Sequence, residues 1–148
     1  MSAYVRKLLS EEQEAALVAA IGRAELQTSG EIRIHLEKTT GGKTADQRAQ
    51  EVFAKLEMHQ TAEANGVLFY LALEDRKLAV WGGKGIDEKV PEHFWEEIID
   101  AVIAAFKDGH FSEGLILGVE RAGAALGEYF PRQHDDIDEL SNEISKGE

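Results

Sequence analysis

The sequence predicts an α/β fold, a small mixed sheet flanked by helices in the order αβαββαα. Three stretches carry that reading. Residues 31–37, Glu-Ile-Arg-Ile-His-Leu-Glu, alternate polar and apolar side chains without exception, as a strand buried on one face does. The run Val67 to Leu73 is apolar, of strand length, and followed at once by the turn-forming Glu74-Asp75-Arg76. Between them Ala45, Ala49, Val52, Phe53 and Leu56 recur at helical spacing. Strand, helix and strand form a βαβ unit, which closes as a right-handed crossover with its two strands parallel.

Taken in order, Ser10 followed by Gln13 makes a capping box ahead of Leu17, Val18, Ile21 and Ala24, and a first helix runs to about Leu26. Thr28-Ser29-Gly30 breaks the period. In the strand that follows, Ile32, Ile34 and Leu36 face the core, while Arg33 and His35 stand on the other face, His35 as a half-exposed residue. Gly41-Gly42-Lys43 is a loop, and the second helix runs from about Thr44 to near Glu57. After the Val67 strand, Lys77 to Trp81 returns antiparallel as a hairpin. This order brings residues 29–31, 64–66 and 82–87 to one edge of the sheet, and residues 38–42 and 74–76 to the opposite one.

Pro91 suits the first turn of a third helix, whose stripe of Phe94, Trp95, Ile98, Ile99, Val102, Ile103 and Phe106 is wide enough to be deeply packed. Trp81, Phe94, Trp95 and Phe106 are expected to gather as one aromatic group near the corner. Residues 107–111 interrupt the period, Ser112 is placed to cap a fourth helix, and Pro131 ends it. Gly114, Gly118, Gly123 and Gly127 lie inside that helix, each costing up to ~1 kcal/mol relative to alanine, so close approach of a neighbouring backbone is the expected reason for them. Residues 1–131 therefore read as a single domain. Residues 132–148 read as an acidic, loosely attached tail that Ile137, Leu140 and Ile144 could dock.

At 148 residues the chain can bury a self-sufficient core, and without cysteine it has neither disulfides nor thiolate chemistry. A net charge of −12 opposes binding to a nucleic-acid backbone and makes a cation the more natural small partner. No segment reaches the ~20 apolar residues of a membrane span, and the opening residues hold no signal-like apolar stretch. The expectation is a soluble, cytoplasmic protein.

The ordered set of Ser29-Gly30-Glu31-Ile32-Arg33, Asn65-Gly66-Val67-Leu68, Arg76-Lys77-Leu78 and the Gly82 to Asp87 corner resembles the TPM domain. Phe106 to Gly114 resembles that family's phenylalanine- and glycine-rich break between its last two helices, and residues 136–140 resemble the tail of its short soluble members. The resemblance implies a Rossmann-like three-layer α/β sandwich. It also implies the two properties attached to the family, acid phosphatase activity and divalent-cation binding, calcium especially. Ala64 stands where the family has the aspartate of its Asp-Asn-Gly motif, which removes one anionic ligand.

The first candidate site is the edge holding Glu31, Asn65, Asp87 and Glu88 beside Gly82-Gly83-Lys84-Gly85, as a weak site for Ca²⁺ or Mg²⁺. Calcium takes six to eight hard oxygens, and carboxylates, an amide and loop carbonyls are ligands of that kind. The glycine corner matches neither phosphate-binding fingerprint, and positive φ angles at a hairpin exit would account for it equally well. No organic cofactor and no catalytic residue is assigned. A phosphatase would need a metal-activated water, since no aspartate pair follows a strand and cysteine is absent. The five histidines are scattered without ligand spacing. The preferred reading is a non-enzymatic interaction module with a protein partner, using the acidic tail and the open sheet edge. The alternatives are a divalent-metal-dependent acid phosphatase and a dedicated calcium-binding domain.

Overall fold

The computed structural model describes residues 8–61, 63–132 and 144–147. Helix α1 (Glu11–Glu25) opens on the expected capping box, the Ser10 hydroxyl accepting from the Gln13 amide at 3.1 Å while the Gln13 side chain accepts from the Ser10 amide at 2.9 Å. Strand β1 (Glu31–Glu37) follows, then helix α2 (Ala45–Lys55), which opens on a second capping box between Thr44 and Gln47. A 3-10 turn (Met58–Gln60) ends that crossover. Strands β2 (Gly66–Ala72) and β3 (Lys77–Gly82) form the hairpin. A single helical turn α3 (Lys84–Asp87), helices α4 (Phe94–Lys107) and α5 (Phe111–Tyr129), and a short strand β4 (Ser145–Lys146) complete the described chain.

The sheet has the order β3-β2-β1-β4. Strands β1 and β2 are parallel, Ile34 opposite Phe69, and β3 is antiparallel to β2, as a βαβ unit continued by a hairpin requires. Every residue of β2 is buried, which is why it reads as an unbroken apolar run rather than an alternation. One face of the sheet packs Ile32, Ile34, Leu36, Val67, Phe69 and Leu71 under α1, α4 and α5. The other packs Leu68, Tyr70, Ala72 and Ala79 under α2. This is the three-layer α/β sandwich.

The helix glycines do mark close approach, but a neighbouring backbone is met first only at Gly127, where a Cβ would lie 3.2 Å from the Gln27 carbonyl oxygen; at Gly114, Gly118 and Gly123 the near atoms are side chains. A Cβ on Gly118 would lie 2.9 Å from both Phe69 and Val102, and one on Gly123 would lie 2.7 Å from the Cβ of Ala24, so α5 sits close against β2, α4 and α1.

Several local expectations are corrected. Pro91 precedes α4 by three residues, and the helix begins at Phe94 with His93 at its cap in a left-handed conformation, φ 66°. Ser112 lies inside α5, its hydroxyl bonded to Glu113, and does not cap the helix, which begins one residue earlier. The aromatic residues divide: Trp81 packs under α2, whereas Phe94, Trp95 and Phe106 join the opposite core. Ile144 docks the chain end, 7% exposed, and β4 adds a strand beyond the expected order; Ile137 and Leu140 lie outside the described residues.

Candidate functional site

At the glycine corner the starts of β1 and β2 meet the end of β3. The Gly83 amide donates to the Gly66 carbonyl at 2.7 Å and the Gly85 amide to the Ala64 carbonyl at 2.8 Å. Those N–H groups are therefore spent within the chain. None of Gly82, Gly83 and Gly85 has a positive φ. The corner is glycine-rich for a different reason: a Cβ on Gly83 would sit 2.4 Å from the Ala64 carbonyl oxygen, and one on Gly85 2.1 Å from that of Glu63.

Of the four residues named for this edge, Glu31 and Asn65 are buried at the strand starts, joined by a 3.4 Å bond from the Glu31 amide to the Asn65 carbonyl. The Asn65 amide donates to the Ser29 hydroxyl at 3.2 Å and to the Glu63 carboxylate at 3.3 Å, and Ser29 donates to the same carboxylate. Asp87 ends α3 and accepts from the Trp95 indole at 2.8 Å. Although that residue as a whole is exposed, its carboxyl lies against Gly82 and Trp95; the local loss of water pushes its pKa up, with the indole bond opposing. Glu88 is an exposed residue just past the same turn. Among the described residues no group of three or more histidines and carboxylates lies close enough to hold a metal ion.

At the opposite end of the sheet, the hairpin turn and the α4–α5 junction leave an open groove of about 620 Å³. Leu71, Leu73, Leu78, Ile103, Phe106 and Phe111 line it, the last two stacked with ring centres 4.8 Å apart. Arg76, Lys77 and Lys107 stand exposed around it. This groove was not anticipated from the sequence, where the apolar side chains were all placed in the core. The break at residues 107–111 was the available signal, because a helical stripe cut at its end leaves its last apolar residues at the rim of the helix packing rather than inside it.

Beneath α2 lies a polar cluster that sequence reasoning also missed. The Glu37 carboxylate, 4% exposed, accepts two bonds from the Arg48 guanidinium, at 2.8 and 3.0 Å, and one from the Tyr70 hydroxyl. His35 bonds to it through Nε2 at 3.0 Å and stacks on Tyr70 with ring centres 6.0 Å apart. Burial alone would raise the Glu37 pKa; the donors of Arg48, Tyr70 and His35 outweigh it and hold the carboxyl down at about 2. Burial lowers the pKa of His35 and, together with the Glu37 bond, raises that of Tyr70. His35 is thus a buried member of a network, 7% exposed, and not a half-exposed surface residue. The hint was there in β1, whose polar positions lie under an amphipathic helix and so require internal partners.

The fold and its glycine corner define an α/β sandwich of the TPM class. The TPM domain family model matches residues 5–125, and this chain belongs to that family. Among solved structures it is similar to the BA42 protein of the psychrophilic bacterium Bizionia argentinensis, at 50% identity and a TM-score of 0.87, over 94% of this chain and 95% of that one. It also resembles the N-terminal domain of a protein from P. gingivalis, at 25% identity and TM-score 0.69, over 86% and 83% of the two chains. The N-terminal domain of the cg2496 protein of Corynebacterium glutamicum shares the fold, at 14% identity and TM-score 0.65, over 88% and 80%. No curated protein matches the sequence. Among the described residues no helix is long and apolar enough to cross a membrane.

Proposed function

We propose that this TPM domain is a non-enzymatic interaction module that takes an acidic, amphipathic segment of a protein partner in the groove beside β3. The observation that carries the reading is the pairing of an apolar groove, open among the described residues, with Arg76, Lys77 and Lys107 at its rim, in a chain of net charge −12. Apolar side chains of a partner would enter the groove, and its carboxylates would meet the three cations. Among the described residues strand β3 ends the sheet on this side, so an extended partner would also find backbone donors and acceptors along Lys77–Gly82.

The test is a titration of the ¹⁵N-labelled protein with twelve-residue peptides in which Leu or Ile alternates with Asp or Glu, against counterparts carrying Lys for the acids. Saturable shifts at Leu78, Phe106 and Lys107 are expected for the acidic peptides alone, and Lys77→Glu with Lys107→Glu should weaken binding by about tenfold. Equal binding of both peptide sets, or shifts elsewhere, would overturn the reading.

A weak Ca²⁺ or Mg²⁺ site at Glu31, Asn65, Asp87 and Glu88 is the second reading. Its support is the convergence of both strand starts with the Gly82–Asp87 corner at one end of the sheet.

A further inference from the structure

The outer edge of β1 carries a short parallel strand, β4, with Ser145 opposite His35 and Lys146 opposite Leu36. Four successive residues of that segment are each met by a distinct feature of the domain. Ile144 is buried in the main core. The Ser145 hydroxyl lies 2.9 Å from His35 Nδ1. Because Nε2 faces the Glu37 carboxylate, the tautomer that satisfies both bonds carries its hydrogen on Nε2, and Nδ1 accepts from Ser145. The Lys146 ammonium reaches the Glu14 carboxylate on α1 at 2.8 Å, with both side chains about three-quarters buried. The Gly147 amide donates to the Leu36 carbonyl at 2.8 Å.

The last position is the most selective. A Cβ on Gly147 would lie 2.9 Å from both Cβ and Oε1 of Glu37, and 3.2 Å from His35 Nε2. Glu37 has no freedom to retreat, since Arg48, Tyr70 and His35 hold both of its oxygens. Any side chain here would have to displace Glu37 or push the segment off the edge.

We propose that the β1 edge is a strand-acceptor site reading the pattern apolar–Ser–Lys–Gly, and that its ligand in trans is the C-terminal segment of a second copy of this chain. Every copy carries the matching sequence, and an exchanged strand would recover all four contacts. In an isolated molecule the covalently attached segment wins by effective concentration, so the acceptor is masked by its own ligand. This site is separate from the groove beside β3, and either can fail without the other.

The test uses a ¹⁵N-labelled Gly147→Val full-length chain, in which the attached segment should leave the edge, titrated with a synthetic peptide of residues 141–148. Saturable shifts at the amides of residues 33–37, with smaller ones around Glu14, are expected, at least tenfold weaker for a peptide with valine in place of the glycine. The wild-type chain should bind the same peptide at least tenfold more weakly than the variant. A charge exchange makes an independent check: a peptide carrying Glu in place of Lys146 should bind poorly to the Gly147→Val chain and regain binding when that chain also carries Glu14→Lys. Absence of β1 shifts, equal binding of the glycine and valine peptides, or equal affinity for wild type and variant would each overturn the proposal.

Discussion

Replacing Glu37 by glutamine should destabilise the protein by an amount that depends on pH in a defined way. The carboxyl is held at about 2 instead of its ordinary 4.5, a difference equivalent to about 3 kcal/mol of folding stability at neutral pH. Glutamine keeps the volume but accepts at one atom only and carries no charge. Arg48 would lose its bidentate partner, and Tyr70 and His35 would compete for what remained. Arg48 keeps 26% side-chain exposure and also bonds to Glu51, so the loss should stay near 3 kcal/mol, below the ~5 kcal/mol seen for fully enclosed pairs. The unfolded carboxyl takes up a proton near pH 4.5, whereas the folded one resists until about pH 2. The stabilisation is therefore complete above roughly pH 5 and disappears as pH falls toward 2. Guanidinium unfolding of both proteins at pH 7, 5 and 3, with unchanged m-values, should show a gap of about 3 kcal/mol at pH 7 and 5 that narrows to roughly half by pH 3. A gap under ~1 kcal/mol at pH 7, or one that stays constant with pH, would refute the charged-network account.

Other expectations are as direct. The His35 ring, followed by NMR, should titrate below its ordinary 6.5 because burial disfavours the cation; stability then falls as pH drops below 6.5, where the unfolded chain protonates first. A midpoint at or above 6.5 would contradict this. Gly123→Val places a side chain where Ala24 already lies, and should cost about 2 kcal/mol and lower Tm by roughly 4–8 °C; an unchanged Tm would mean that α1 and α5 can separate freely. Ca²⁺ or Mg²⁺ added to labelled protein should produce saturable shifts at Glu31, Asn65, Asp87 and Glu88 that Asp87→Ala removes, if the glycine corner is a cation site. Diffuse, unsaturating shifts would dismiss it, and cation-dependent hydrolysis of an aryl phosphate lost in Asp87→Ala would restore the phosphatase alternative.

The elements legible in the sequence are those set by local chemistry. Ser10 with Gln13 specifies a helix start within four residues, the strict alternation of β1 needs no partner to be recognised, and the apolar run of β2 announces a strand covered on both faces. What escaped depends on contacts between distant positions. Glu37 and Arg48 look like ordinary surface charges until the crossover folds α2 over β1. Ser145 and Gly147 sit in an acidic stretch with no strand pattern, and their placement depends on β1 offering an edge. The glycines of the corner were recognised as special for the wrong reason, because positive φ and close approach both call for glycine and only coordinates separate them. The glycines of α5 were read as close-packed because a helix interior leaves close approach as the main explanation, but the expected backbone neighbour is found only at Gly127 and side chains crowd the others.

The polar layer under α2 also determines how the sheet can assemble. Sliding β1 by one residue against β2 would preserve parallel pairing, but it would turn Glu37 and Arg33 toward the apolar side covered by α4 and α5. It would also leave Arg48 and the Tyr70 hydroxyl facing Ile and Leu side chains. Such a slipped sheet would strand several buried polar groups at once, each costing about 1–3 kcal/mol. The cluster at Glu37 therefore works as a keyway during folding: apolar burial draws the strands together, and only one alignment lets the charges close.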